Sequence, residues 1–417
     1  MAGSWTISRK MRPSLAIAFL FLASAAGADD VRTEFGGHTK FRVVGQGFPD
    51  NSLYRDLAGS DALDVMANLR LNLKLNTGRW TFDSAYQLIG LQGDTIRFGT
   101  GLPGDDRRLF DLTDVVTESS DSAILHRLDR FWVGFTSEKT VVRLGRQALS
   151  WGNGLVYAPM DLVNPFDPTS IDTEYKAGDD MLYLQYLQDN GNDMQAAYVA
   201  RRNLVSGNAD SDEATAAIKY HGFVGTGEFD VLIARSYGDT VAGIGMSHPV
   251  GGAVWSADLV VTDTDLDTHT QFVTNLMYSW IWKGKNMSGA VEYYFNGFGQ
   301  SGGRYDPLSV AANQDLAVRL LRGELYTSGR HYFAANVLIE MTPLWTVTPT
   351  LLSNADDPSA LFQLVTNYSL SDNMTLLASL NVPLGPDGSE FGGIETPIPG
   401  RYLAIDAGLF AQFAWYF

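Results

Sequence analysis

Basic side chains recur at alternate positions in several short stretches of this sequence. Lys40 and Arg42 form one such pair, and Arg70 and Lys74 belong to another stretch. Alternate residues of a β-strand lie on one face, so each group shares a polar face. A row of like charges that faces water selects ions by their charge. The charged residues that we assign to such faces are Lys40, Arg42, Arg70, Lys74, Asp83, Arg130, Arg143 and Lys219.

Acidic residues are concentrated in the segment 151–179. This segment contains three prolines, several aromatic and aliphatic residues, and a single basic residue, Lys176. If it stands across a narrow passage from the basic faces, the opposed charges produce a transverse field. The acidic residues that we assign to this constriction are Asp161, Asp167, Asp172 and Glu174.

Enzymatic and metal chemistry have little support in the sequence. The six histidines are scattered, and there is no HExxH or GxSxG motif. Residues 263–267 begin like a calcium loop, but Thr268 replaces the required glycine and Thr274 the required carboxylate. Cysteine is absent, and the formal charge of −17 argues against binding of nucleic acid. We therefore predict no enzymatic activity, no cofactor and no nucleic-acid partner.

The elements that position these residues are strands. Residues 65–75 alternate between apolar side chains and Asn, Arg or Lys, and a turn at 76–79 leads into the alternating stretch 80–88. The same pattern repeats to the end of the chain and predicts about 18 strands, each near the 9–11 residues of a tilted membrane strand. Short turns and long connections alternate between them, as in outer-membrane barrels. Within one long connection, residues 313–326 predict a short helix.

The N-terminus predicts export. Residues 1–14 carry three basic side chains and no acid, residues 15–23 are apolar, and 26–28 read Ala-Gly-Ala. This pattern is typical of a secretory signal peptide cleaved after residue 28, and an N-terminal membrane anchor is the weaker alternative. The mature chain, residues 29–417, would form one domain with 27 basic and 47 acidic residues, a net charge of −20.

The C-terminal residues predict a closing strand. Leu409, Ala411, Phe413, Trp415 and Phe417 occupy alternate positions and form one apolar face. Such a face is stable at a terminus if it contacts lipid and if the strand pairs with the first strand. The final aromatic pattern resembles the C-terminal signal by which bacterial outer-membrane barrels are recognised for insertion. We assign this signal to Phe413, Trp415 and Phe417 and expect the barrel-assembly machinery as a partner.

A large soluble β-sandwich or β-helix is the alternative fold, but three features favour a membrane barrel. The hairpins continue without a domain break, the signal peptide makes the outer membrane available, and aromatic residues near strand ends suit interfacial girdles. These aromatic residues are Trp80, Trp132, Trp280, Trp345 and Trp415. We therefore predict an all-β, transmembrane antiparallel β-barrel of about 18 strands (16–18) in the bacterial outer membrane, with short periplasmic turns and long extracellular loops.

About 18 strands leave a water-filled lumen, and charges within a membrane span need water or a partner. We expect 151–179 to fold into this lumen opposite the basic wall, a lid over the rim being the alternative. The basic residues also have an alternative interpretation, in which they form ion pairs that fill the lumen and do not line a channel. Two residues fit the strand scheme poorly. Arg146 shares an apolar face with Leu144, which would be explained by a strand bulge that shifts the register or by a position above the hydrocarbon. Pro349 lies within a predicted strand, where proline is unfavourable.

The runs RLGRQALSWGNG, PMDLVNPFDPTS, YSLSDNMTL and PLGPDGSEFGG resemble a poorly characterised family of porin-like outer-membrane β-barrels of Proteobacteria. The resemblance covers nearly the whole mature chain and implies a frequent association with RND-type inner-membrane exporters. Two functions follow. One is a passive channel for small solutes, with selectivity set by the basic wall and the acidic segment. The other is an outer-membrane partner of an RND-type system that carries a lipid-like or hydrophobic molecule, with a lumen closed by 92–125 and 151–179.

Overall fold

The computed structural model describes residues 31–97 and 102–417. The predicted signal peptide, residues 1–28, lies outside the described residues. Eighteen antiparallel strands pair in chain order, and the last strand pairs with the first, so the barrel is closed. The prediction of an all-β antiparallel barrel is confirmed. The strands are β1 Arg32–Gly47, β2 Asp61–Thr77, β3 Trp80–Gly93, β4 Ser122–Thr136, β5 Thr140–Gln147, β6 Asp179–Leu187, β7 Asp193–Arg202, β8 Ala209–Val224, β9 Gly227–Ser236, β10 Asp239–Val250, β11 Ala253–Asp263, β12 Thr268–Trp282, β13 Lys285–Asn296, β14 His331–Thr342, β15 Trp345–Asn354, β16 Ser359–Ser371, β17 Met374–Leu384 and β18 Gly408–Tyr416.

The outer surface of the barrel is apolar. Ile233, Phe333 and Leu409 are more than half exposed, whereas residues next to them in sequence, such as Leu232 and Tyr332, are buried. An exposed apolar belt on alternate strand positions is the surface that contacts hydrocarbon in membrane barrels. Among the described residues, no helix has the length and apolar character to span a bilayer.

The two ends of the barrel differ in their connections. Turns of two to five residues join β2 to β3 and each later even-numbered strand to the next strand. We call this the turn end; the N-terminal end of β1 and the C-terminal end of β18 lie there as well. The connections at the opposite end, the loop end, include 94–121, 148–178 and 297–330.

The described helices are short and lie at the loop end: α1 Leu53–Ala58, α2 Asp94–Arg97, α3 Pro307–Ala312 and α4 Gln314–Arg322. Helix α4 falls within the predicted helical segment 313–326, which is thereby confirmed. The Asn313 side chain accepts a hydrogen bond from the Leu316 N–H, and Gly323 ends the helix with a φ of 69°. A further short strand, Thr113–Glu118, pairs with β4 beside the end of β5.

Two irregularities change which face some residues of β4 and β5 occupy. Asp129 of β4 has no partner in β3 and forms a bulge, and Gly145 of β5 has a φ of 123°. Strict alternation fails at both points. Trp132 therefore lies against Arg143, with the guanidinium carbon 5.3 Å from the ring centre, and its assignment to an outer aromatic girdle is wrong. Arg146 is buried at 2% exposure, and the register from β4 to β5 and from β5 to β6 continues through it without an inserted residue.

Pro349 occurs in β15 at a point where its missing N–H does not remove a hydrogen bond from a regular ladder. It pairs in register with Leu364 of β16. On the other side, the ladder between β14 and β15 is interrupted between the Thr350 and Val347 pairs. The strand accommodates proline because the neighbouring ladder is already irregular there.

Candidate functional site

The connection between β5 and β6, residues 148–178, contacts inward side chains on opposite walls of the barrel. Trp151 Nε1 donates a 2.7 Å hydrogen bond to Gln195 Oε1 of β7. The carbonyl oxygen of Thr169 accepts a 2.9 Å hydrogen bond from Gln363 of β16. A segment that reaches both walls runs through the interior, and we call it the inner loop.

Glu292 of β13 holds the inner loop through its backbone. Its carboxylate accepts hydrogen bonds from the N–H groups of Leu155, Val156 and Tyr157 at 2.6, 3.0 and 2.8 Å. Three consecutive N–H groups in a loop have no ladder partners, so a carboxylate satisfies all three at once. Asp258 of β11 is a second anchor and accepts hydrogen bonds from the N–H and side-chain amide of Asn153 at 2.6 and 2.7 Å.

Apolar contacts attach the same part of the inner loop to the wall from β6 to β16. Trp151 and Met160 belong to a buried cluster with Leu232 and other inward residues of β6–β11. Tyr157 stacks on Tyr294 with ring centres 4.8 Å apart, in a second cluster that reaches β16. This sector of the barrel is therefore packed with side chains.

Lys176 joins the end of the inner loop to its beginning. Its ammonium group donates hydrogen bonds to the carbonyl oxygen of Leu149, to Ser150 Oγ at 3.1 Å and to the carboxylate of Asp161. Burial raises the pKa of Asp161 to about 6 and lowers the pKa of Lys176. Asp161 was predicted to face a constriction, but its carboxylate instead pairs with Lys176 and links two parts of the inner loop to each other.

Asp172 and Glu174, which we call the acidic clasp, attach the far end of the inner loop to β1. Asp172 Oδ2 lies 2.7 Å from Lys40 Nζ and 3.0 Å from Arg42 Nη2, and Glu174 Oε2 lies 2.8 Å from Lys40 Nζ. Burial raises the pKa of Asp172, but the hydrogen bonds from Lys40 and Gln412 outweigh it and the pKa is lowered. The acids contact the basic wall directly, so the expected arrangement of opposed charges across a gap is wrong here.

Arg70 and Arg130 are also occupied by contacts. The side chain of Arg70 is 2% exposed, lies under the ring of Tyr175 at 4.1 Å, and pairs with Asp129 at 2.7 Å. Arg130 pairs with the same carboxylate at 2.8 Å. Sequence reasoning missed Asp129, although two adjacent charges in an alternating strand are a signal of a bulge.

No family model and no curated protein matches this chain. Solved structures match at low identity over 93% of it. OccAB1 of Acinetobacter baumannii has a TM-score of 0.54 at 11% identity over 97% of its length. OccAB4 of the same species has 0.53 at 10% over 98%, and a BenF-like porin from Pseudomonas fluorescens Pf-5 has 0.52 at 10% over 98%. The chain has a porin fold.

Within this porin fold, four more of the predicted wall residues, besides Arg130, are partly exposed. Arg42 is 28% exposed, and Lys74 and Asp83 are cross-strand partners toward the turn end. Arg143 lies between the rings of Trp132 and Tyr183, 5.3 Å from each. In contrast, Lys219 pairs with Asp230 at 3.0 Å and is buried.

Asp167 of the inner loop has only a local role among the described residues. Its Oδ1 accepts hydrogen bonds from the N–H and hydroxyl of Thr169, both at 2.8 Å. This contact shapes a turn in the inner loop and adds no link to the wall.

A buried charge cluster, which the sequence did not reveal, closes the wall above β5. Arg146 pairs with Asp105 at 2.8 Å and Asp180 at 3.0 Å, and also donates to the carbonyl oxygen of Phe110. Burial raises the pKa of Asp105, but Arg146 and Arg108 outweigh it and lower the pKa to about 2. The cluster attaches the connection after β3 to the barrel wall.

The residues of the predicted insertion signal lie on β18 and at its end. Trp415 and Phe417 are exposed at 42% and 46%, with ring centres 5.5 Å apart, and Phe413 pairs in register with Phe41 of β1. The backbone of Phe417 exchanges two hydrogen bonds with Gly37, at 2.9 and 3.1 Å. The last residue of the chain therefore takes part in closing the barrel.

Proposed function

We propose that this protein is an outer-membrane channel through which small solutes pass passively. The observation that carries the proposal is the sector of inner wall that the inner loop leaves partly exposed: Arg42, Lys74, Asp83 and Arg143 on β1–β5. A barrel of 18 strands is wide enough for an aqueous lumen beside a folded loop. In this proposal the turn end is periplasmic, the loop end faces the cell exterior, and residues 1–28 are removed on export.

Selectivity in this channel rests on the charges that lack a close counter-charge. The acidic clasp neutralises Lys40, whereas Arg143 forms no ion pair with any described residue. Lys74 and Asp83 face each other across the strands and offset each other's charge. The exposed sector is therefore weakly basic, which favours small anions over cations of the same size.

Single-channel recording in planar bilayers tests the proposal. We expect discrete current steps that scale with salt concentration, and a reversal potential in a salt gradient that indicates anion preference. Arg143→Gln is expected to reduce this preference. Lys139→Gln is the matched control, because Lys139 is exposed at the turn end and pairs there with Asp189. Absence of current steps from protein that is folded, as judged by heat-modifiable migration, would contradict the proposal.

A second candidate function is that of a partner in an RND-type system that carries a lipid-like molecule. It is favoured by the burial of Lys40 and Arg70 under the inner loop, and by the apolar packing of Tyr157 and Leu162. Leu155 and Phe166, at 43% and 37% exposure, are available for an apolar ligand. Electrical silence of the folded protein together with saturable binding of a fluorescent fatty acid would support this candidate and oppose the channel.

A further inference from the structure

The outer surface of β6–β10 carries a groove of about 490 Å³. Its floor includes Ala196 and Ala216, and bulkier side chains stand on either side, among them Leu184, Tyr198 and Ile218. Volumes of this order accommodate small ligands. The groove is on the apolar outer surface, so its walls face hydrocarbon.

Polar groups cluster at the end of the groove nearer the loop end. Ala216 pairs in register with Tyr198 on one side and with Arg235 on the other, and Arg235 pairs with Thr240. Tyr198 and Arg235 are exposed on this outer face. Among the described residues, Arg235 has no hydrogen-bond or ion-pair partner, and it is the only Lys or Arg that lines the groove. The groove is thus apolar along its length and cationic at one end.

The position of Arg235 along its strand matches the level of lipid head groups. Strand β9 has 10 residues, about the length that spans the hydrocarbon, and Arg235 is the last but one at the loop end. The head of this groove therefore lies at the boundary between acyl chains and phosphates. An unpaired guanidinium at that level attracts anionic lipid.

We propose that this groove binds one phosphorylated acyl lipid of the outer leaflet. An acyl chain lies over Ala216 and Ala196, and the phosphate accepts hydrogen bonds from Arg235 and from the hydroxyl of Thr240 or Tyr198. The charge favours this occupant over a second copy of the chain, because a symmetric contact would bring two Arg235 side chains close together. The inference rests on the outer-membrane orientation proposed above, and it does not depend on conduction.

Native mass spectrometry of the full mature chain in neutral detergent tests the inference, with diphosphorylated lipid A as the probe and its dephosphorylated form as the reference. We expect one retained probe molecule on the wild type. Arg235→Gln should reduce retention about five-fold, and Ala216→Leu, which fills the floor, should also reduce it. Ala335→Leu, an exposed outward position on β14, is the control and should retain the probe.

Equal retention of the two probes, or equal retention by Arg235→Gln and wild type, would overturn the inference. If the protein forms lipid-free dimers and Ala216→Leu disrupts them, the lipid inference is overturned and a second copy of the chain is the occupant of the groove. Lipid retention is measured by mass and the channel is tested by current steps, so failure of one proposal can be distinguished from failure of the other. Heat-modifiable migration of each variant confirms that the comparison is made on folded barrels.

Discussion

Lys40 Nζ lies 2.7 Å from Asp172 Oδ2, although 132 positions separate the two residues in the chain. This contact joins the end of the inner loop to the first strand of the barrel. It also places a carboxylate next to two basic residues of the inner wall, because Asp172 contacts Arg42 as well. One carboxylate thus attaches the far end of the inner loop to β1 and offsets positive charge on the inner wall.

Removal of that carboxylate should change both properties. In Asp172→Asn, Lys40 retains only Glu174 as an ion-pair partner, and Arg42 has none among the described residues. We expect larger single-channel conductance and a reversal potential shifted toward anion preference. Asp167→Asn is the matched control in the same loop, since among the described residues that carboxylate accepts hydrogen bonds only from Thr169. Identical reversal potentials for wild type and Asp172→Asn would place the passage away from the clasp.

Glu292 should be the strongest single anchor of the inner loop. Its three backbone hydrogen bonds are charge-assisted, and Glu292→Ala leaves three N–H groups without this acceptor. We expect a loss of about 2 to 4 kcal/mol in docking of the loop, measured as faster proteolytic cleavage within residues 151–178. Glu340→Ala, which removes an exposed carboxylate from a turn-end hairpin, serves as control. Equal cleavage rates in both variants would mean that apolar packing alone holds the loop.

A carboxyl group at the loop end should make stability depend on pH. Glu390 accepts hydrogen bonds from the Tyr332 hydroxyl and Asn354 amide at 2.6 and 2.8 Å. Burial raises the pKa of Glu390 from 4.5 to about 7, against the effect of these hydrogen bonds. The folded state therefore takes up a proton that the unfolded state binds only at lower pH, so this group's contribution to stability is lost as the pH rises through 7.

We expect a higher unfolding temperature at pH 5.5 than at pH 8.5, measured by heat-modifiable migration in mixed micelles. Glu390→Gln should reduce the difference, because the amide does not titrate. Glu395→Gln on the same connection is the control. A pH dependence that is the same in Glu390→Gln and wild type would assign it to other groups, such as Asp161.

Deletion of Phe417 should impair barrel assembly. It removes the two backbone hydrogen bonds with Gly37 and an exposed aromatic ring at the turn end. We expect a lower yield of the heat-modifiable form in outer membranes. Phe417→Leu separates the causes, since it retains the backbone pairing and removes only the ring. Normal assembly of the deletion variant would remove this residue from the insertion signal.

Gly145→Ala should disturb the wall at β5. The φ of 123° is disfavoured for alanine, and a Cβ there would lie 2.2 Å from the carbonyl oxygen of Phe131. We expect a destabilisation of about 1 to 3 kcal/mol, visible as a lower unfolding temperature. Gly90→Ala in β3 is the control, because no atom lies within 4 Å of its would-be Cβ. Equal unfolding temperatures would show that β5 adjusts at this point without cost.

The order and number of strands were predictable because alternation is a local property. Every second residue of a strand faces the same side, so Arg42, Lys74 and Arg143 could be assigned to the inner wall from their neighbours alone. The apolar face that includes Leu409 and Trp415 likewise predicted the last strand. The helix at Gln314–Arg322 was also predictable from the residues of its own segment.

The partners of these residues depended on the tertiary structure. Only closure of the barrel brings β1 to the far end of the inner loop, so no spacing in the chain pointed to Lys40 and Asp172 as a pair. The inward turn of Trp132 follows from the bulge at Asp129, which interrupts the alternation on which the prediction relied. Glu292 was missed because an acid on a polar strand face looks the same in sequence whether it contacts water or a loop. Strand faces are set by neighbouring residues, whereas ion pairs across the lumen are set by which walls a closed barrel brings together.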